Sequence, residues 1–509
     1  MNKIDKIIAP VFPGWAASRM RSRWAIRAYE AAKPSRLHRK RSDFGSADSV
    51  VGKAGGSLRV QARYLDENHD LARGVLNTLV NNVIGTGIRI EALAKDNKGE
   101  LLTDFNTRLY QLFEDWMLKP EVTWELHWNQ LQRLAARSWF RDGEVLLQLL
   151  EGTISTLDHG SRVPFSVELI ECDLLPIDFD DVKKGIIQGV QKNKWGRAKA
   201  YFLYKDHPGD SQTSFNQDVK RVPAENILHL KLSDRIRQTR GVSIFASVLT
   251  RMDDIKDYEE SERVAARVAA AMCAFIRKSS DNPLAVSNTD SSDNRLMSMK
   301  PGMIFDNLLP GEDVSMIESN RPNTMLEQFR NSQLRAVAAG TCTSFSSISK
   351  DYNGTYSAQR QELVEQSVNY AVMREHFVER FVRPVWQRFV QVALLTDLIE
   401  APPNLDEMTL FDADFRGPSL PWIDPLKEIN AEEKAVQAGF KARSQVIRER
   451  GNNPNIVNEQ IKRERTQETT DGMIFSTSNA ASTQPTKPET EKTNDKKNGN
   501  INKDDRPNK

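Results

Sequence analysis

The chain has 509 residues, 39% hydrophobic and 28% charged, enough for more than one packed unit under a heavily charged surface. A formal net charge of +2 excludes a nucleic-acid binder that works by overall charge, so any DNA contact relies on local charge. No apolar run reaches the roughly 18 residues that a membrane span needs, and the N-terminus shows charges without the apolar region of a secretory signal.

The first segment, residues 1–49, reads as a basic flexible arm. It carries Arg19, Arg21, Arg23, Arg39, Lys40 and Arg41, with a short helix expected over Ala16–Ala32. Leu58–Ile84 reads as one helix or two, with Asp66, Asn68 and Asp70 as cap residues and Gly85 and Gly87 as a stop. A strand is expected over Gly87–Ala94, then helices over Thr103–Leu118 and Trp124–Phe140. The second of these puts Leu126, Leu131, Leu134, Ala135 and Trp139 on its apolar side. Asp142-Gly143 turns into a strand at Glu144–Leu150. Alternation predicts further strands at Ser166–Ile170, Ile186–Gln191, Ala198–Leu203 and Ile227–Lys231. Helix returns over Val242–Ile276, and the acidic start and basic, alanine-rich finish of its second half, from Met252, suit the helix dipole. Two short strands are expected around Pro310-Gly311 and a helix over Met325–Ala339. A very long helical pattern follows, from Ser357 to Leu395, broken only at Pro384. In it, Phe381, Trp386 and Phe389 read as core packing. Ala401–Pro425 is irregular; a helix is expected from Pro425 to Ala438 and a second over Arg443–Arg450. The tail from Gln467 has almost no apolar residues and is expected to be disordered. The fold class is α+β.

No catalytic residues stand out. A phosphate loop of the G-x-x-x-x-G-K-[S/T] type is absent, and the nearest glycine cluster, Gly52 to Gly56, lacks the Lys-Ser/Thr pair. Gly85 and Gly87 sit in half of a dinucleotide fingerprint and are better read as a helix stop. Seven scattered histidines offer no H-E-x-x-H, and no nucleophile has a G-x-S-x-G context. Cys172, Cys273 and Cys342 are far apart and odd in number, so we expect buried structural thiols and neither a disulfide framework nor a zinc site. Asp173 and Asp178–Asp181 form a carboxylate-rich loop without Ca²⁺-loop spacing, which favours a solvated turn over a cation site. No enzymatic activity, cofactor or metal is expected.

Several stretches in order resemble the lambda-type bacteriophage portal protein family: LARGVLNTLVNNVIGTGIRIE (71–91), RSWFRDGEVLLQLL (137–150), IIQGVQKNKWGRAKAYFLYKDHPGD (186–210), PGMIFDNLLPGEDV (301–314) and DYNGTYSAQRQ (351–361). The similarity runs from about Arg19 to about Glu464. It implies a portal fold and a dodecameric ring at the unique capsid vertex. Double-stranded DNA would be packaged and ejected through the channel of that ring. The partners implied are the terminase large subunit, the major capsid protein, the scaffold and head protease, and a head–tail connector. The implied location is the virion, with assembly in the host cytoplasm and no membrane. Mapped by pattern, residues 50–323 would be an α+β wing, 324–340 a first stem helix and 341–356 the clip. Residues 357–383 would be a channel-lining stem helix, 384–466 the inner wing and helical crown, and 467–509 the polar tail. Lys350, Arg360 and Arg374 are the candidates for belts of charge facing DNA in the channel. Readings from other classes are a DNA-binding adaptor acting through the basic arm, and a nuclease or packaging ATPase.

Overall fold

The computed structural model describes residues 45–210, 218–270, 325–418 and 425–471, and the backbone of two strands at 274–278 and 312–316. Helix α1 (Ala47–Asn68) starts well before Leu58 because Ser46 caps it, its hydroxyl accepting from the Ser49 N–H at 3.2 Å. One residue, His69, separates it from α2 (Asp70–Val83). The His69 imidazole and the Asp70 carboxylate share the Leu71 N–H as donor. Strand β1 (Arg89–Ala92) and helix α3 (Thr103–Met117) follow as expected.

Helix α4 (Trp128–Asp142) begins later than the apolar spacing predicts. His127 and Gln130 form a reciprocal capping box, while Trp124 sits in a turn at φ 61°. Leu134, expected on the apolar side, is exposed. Gly143 ends α4 at φ 88°, and a Cβ there would lie 2.3 Å from the Val242 backbone, so only glycine permits this crossing.

The chain then enters β2 (Glu144–Glu151), the middle strand of an antiparallel sheet with β3 (Phe165–Ile170) on one side. Next come β4 (Ile186–Ile187), β5 (Val190–Lys192), β6 (Ala198–Tyr204) and β7 (Val219–Pro223), which pair in sequence order as a meander. The expected single strand at 186–191 is thus two. Strand β8 (Ile227–Lys231) closes the other edge of the first sheet, with Val145 opposite Leu230.

Helix α5 (Leu249–Ala270) is shorter than predicted. Ala274–Lys278 is strand β9, paired with β10 (Glu312–Met316), so that Ala274 lies opposite Met316. Strand β10, expected after Pro310-Gly311, thus pairs with residues 34 or more positions upstream, and the expected strand before that turn lies outside the described residues. Residues 301–311 lie outside those described.

Helices α6 (Leu326–Gly340) and α7 (Phe345–Ser349) lead into the long element: α8 (Tyr356–Phe377), a π-helical turn (Val378–Val382) and α9 (Arg383–Leu395). Pro384 accounts for the turn. It has no N–H for the carbonyl four residues back, and the Arg383 N–H instead reaches Val378 O. The helix therefore continues through the proline.

A short strand, β11 (Ala413–Arg416), pairs with β1, Phe415 opposite Ile90, inside the stretch read as irregular. Three helices end the described chain: α10 (Pro425–Gln437), α11 (Arg443–Glu449) and α12 (Pro454–Asp471). The last runs past Gln467, so disorder does not begin there.

One main core joins these parts. Trp116 stacks on Phe165 at 5.4 Å, Trp128 on Phe381 at 5.9 Å, and Phe113 meets Trp386 edge-on at 5.3 Å. Phe381, Trp386 and Phe389 are fully buried, as expected for core residues. A smaller cluster around Leu146, Cys172, Tyr201 and Leu203 joins the two sheets.

Candidate assembly surface

Helix α8 is anchored at one end and uncovered along much of the other. At its C-terminal end Phe377 is buried, and Arg374 donates to Val83 O (3.0 Å) and Asn82 O (2.8 Å), the last carbonyls of α2. Arg374 thus caps α2, the placement a cation prefers near a helix C-terminus. Burial lowers its pKa from the usual arginine value. Replacing it with methionine is expected to leave those carbonyls unsatisfied and cost about 1–2 kcal/mol. A shift in the guanidinium unfolding midpoint measures this, and an unchanged midpoint would contradict the capping role.

Towards its N-terminus, α8 is capped by Thr355, whose hydroxyl accepts from the Ala358 N–H at 3.4 Å. Here Val364, Val368 and Val372 recur every four residues and are 52%, 60% and 67% exposed. Tyr352 and Tyr356 are exposed as well. Four-residue spacing places the valines in one row along the helix. Burying a valine is worth roughly 1.5 kcal/mol or more, so such a row carries a substantial drive to be covered. Val364 and Val368 also border a cleft of about 760 Å³ between α8 and α10–α11, where Leu363 and Ala371 line the α8 wall. Arg360 bridges that cleft to Glu428 at 3.6 Å.

The three channel candidates therefore sit in different settings. Lys350 is exposed, in the left-handed conformation that ends α7. Arg360 is half-exposed and paired with Glu428. Arg374 is engaged by α2 carbonyls and does not face solvent as a free charge. The arm candidates Arg19, Arg21, Arg23, Arg39, Lys40 and Arg41 lie outside the described residues.

A buried charged joint escaped the sequence reading. Glu144, at the start of β2, is 0% exposed. It accepts from Arg240 Nε at 2.7 Å, the Gly241 N–H at 2.7 Å and His229 Nε2 at 3.0 Å. Arg240, equally buried, also donates to Leu175 O (2.8 Å) and Cys172 O (2.9 Å). Burial alone would raise the Glu144 pKa. The Arg240 charge and the His229 hydrogen bond overcome it and hold the carboxyl well below the usual range. Around this centre Arg63 grips Asp142 with two bonds of 3.0 and 3.1 Å, and Arg59 reaches Asp173 at 3.0 Å. Every charge is answered by a partner, which is what a buried ionic cluster requires. The joint ties α1, α4, β2 and β8 together. A basic residue every fourth position in α1, Arg59 and Arg63, was the available signal.

The acidic loop resolves as turn structure. Asp173 serves Arg59 and Arg63, Asp180 accepts from the Gln188 N–H, and Asp181 from Lys183 and Lys184. Glu171, Asp173 and His207 bring ligand atoms within 4.8 Å of one another, but Asp173 is already committed to two arginines. Cys172 is buried, and burial pushes its thiol pKa up. Cys342 is exposed, contrary to expectation, and Cys273 lies outside the described residues. Gly85 and Gly87, at φ 62° and 123°, end α2 as expected. Among the described residues no helix is long and apolar enough to cross a membrane.

Fold and surface define a class first: an α+β protein with a charged joint at its centre and an uncovered apolar row on its longest helical element. The family follows from comparison. The family described as "Phage portal protein, lambda family" matches residues 33–374, and the chain belongs to it. A "Probable portal protein" of Halomonas phage phiHAP-1 is 24% identical over 450 residues, covering 86% of this chain and 85% of that protein. "Portal protein B" of Escherichia phage lambda is 22% identical over 292 residues, 52% of this chain and 55% of that one. Among solved structures, a chain of the virion of a native gene transfer agent particle aligns with a TM-score of 0.42 and 12% identity. That alignment covers 79% of this chain and 94% of the other.

Proposed function

We propose that this phage portal protein assembles as a dodecameric ring at the unique capsid vertex and forms the channel for packaging and ejection of double-stranded DNA. The terminase large subunit and the head–tail connector would dock on the ring outside the head, and the major capsid protein around it. The observation that carries the reading is the row Val364, Val368 and Val372. A protein of this family that leaves such a row uncovered in one protomer has a use for it between protomers.

We assign the parts from packing. Helices α1–α4 and the two larger sheets form the wing. We take α5 and α6, which lie against each other, as the two stem helices, and the β9–β10 pair between them as the clip. Residues 341–356 suit the clip less well, because Ile348 and Phe345 pack into the main core and Thr341, Thr343 and Ser344 are buried. Lys350 remains the candidate to face the channel, whereas Arg360, one turn before Val364 in the row given to the protomer interface, pairs with Glu428. Lys350 would repeat around the axis as a belt, and few strong phosphate contacts per protomer suit a channel that must release its DNA. Mass photometry of the purified chain tests the ring. A species near twelve times the 57.8 kDa protomer is expected; a monomer at all concentrations, with or without scaffold, would contradict it.

A further inference from the structure

Between β1, β11 and the turn after α11 lies a polar cleft of about 190 Å³. That is the liquid volume of about six waters, room for one phosphate group and part of its hydration. Arg89, Arg416 and Arg450 line it, with Thr86, Gly87 and Gly451. The arginines do not wave freely. Arg89 Nη1 donates to Gly451 O at 2.7 Å, and Arg416 Nη1 to Asn452 O at 2.5 Å, so two guanidinium groups are fixed against the same turn. The acids beside them, Glu91 and Asp414, are engaged by Arg416 and Arg448. Among the described residues no carboxylate lies within ion-pair distance of Arg89. Gly451 leaves open space where a side chain would stand, which lets an anion approach the backbone there, whereas at Gly87 that space is taken by Asn129. Arg416 is spent on Glu91 and Asp414 and supports the wall, so Arg89 and Arg450 are the guanidinium groups that would meet a phosphate in this small polar cleft.

We propose that this cleft binds a phosphate group, and that the group is supplied by the backbone of duplex DNA. The choice of DNA rests on the portal reading; the phosphate chemistry does not. Free phosphate is the other source, and the test separates the two. Arg89→Gln, Arg450→Gln and the double variant are compared with the full-length protein, after thermal melts confirm that each folds. Anisotropy of labelled duplex DNA is followed across a salt series, and inorganic phosphate is titrated calorimetrically. For the double variant we expect DNA affinity to fall about tenfold or more, and the slope of log K against log salt to drop by about one per arginine. Phosphate binding that disappears in the double variant while DNA binding is unchanged would uphold the phosphate site and overturn DNA as its source. No phosphate heat in the wild type and no change in DNA binding would overturn the proposal. Counting protomers on the same samples keeps the readings apart, since loss of the ring with the phosphate result intact would fault only the portal assembly.

Discussion

Replacing Glu144 with alanine is expected to destabilise the chain by about 3–5 kcal/mol, because it strands the Arg240 guanidinium in an interior with no counter-charge. Arg240 is 0% exposed and cannot turn to solvent without opening the joint between β2, the loop after β3 and the segment leading to α5. The Gly241 N–H and His229 would lose their acceptor as well. The double variant E144A/R240M is expected to recover part of the loss, since it removes both buried charges together. Denaturant midpoints across this cycle measure the coupling. Equal and additive effects would show that the pair is not coupled.

The same joint sets a pH dependence whose sign follows from two shifts. The folded pKa of Glu144 lies below its unfolded value of about 4.3, so its contribution is complete above that pH and is lost as pH falls below it. Burial lowers the pKa of His229, against the pull of Glu144, so the folded state favours the neutral ring. That preference costs stability as pH falls through about 6.5, where the unfolded chain takes up the proton. Both act in one direction. Stability is expected to decline from pH 7 to about pH 3, first through His229 and then, below about pH 4.3, through Glu144. A melting temperature that stays flat over this range would contradict the account.

Val368→Asp is expected to abolish ring formation while leaving the protomer as stable as the wild type. Val368 lies at the centre of the α8 row and is 60% exposed, so a carboxylate there meets water in the isolated chain. In a closed ring the same carboxylate would be buried against an apolar partner, at a cost of several kcal/mol repeated at every interface. The two readouts part company here. Circular dichroism melts should be unchanged, and mass photometry should show protomers in place of rings. Val368→Ala, which only trims the contact, is expected to weaken assembly without abolishing it. Rings formed normally by V368D would show that α8 does not lie between protomers.

The elements legible in the sequence were those with local causes. Strand β2 follows from the Asp142-Gly143 turn and the apolar run after it, β3, β6 and β8 from alternation, and α3 from spacing and Pro120. What stayed hidden depends on distant partners. Ala274–Lys278 continues an alanine-rich helical pattern, yet its fate is decided by a strand beginning at Glu312. Strand β11 is four residues long and exists because β1, more than 300 positions away, offers an edge. Arg374 reads as one more charge on a mixed helix, and only the approach of α2, 291 positions upstream, makes it a cap. The joint at Glu144 has the same character, since its partners are scattered from Arg59 to Arg240. The family resemblance, by contrast, was carried by ordered stretches over most of the chain and was legible throughout.

Single-particle imaging of the purified wild-type protein tests the central claim most directly, because it shows both the ring and what covers α8. The account predicts a closed ring with a central hole, in which Val364, Val368 and Val372 of each protomer are buried against a neighbour. A ring that leaves this row in solvent, or a chain that forms no ring under any assembly condition, would contradict it.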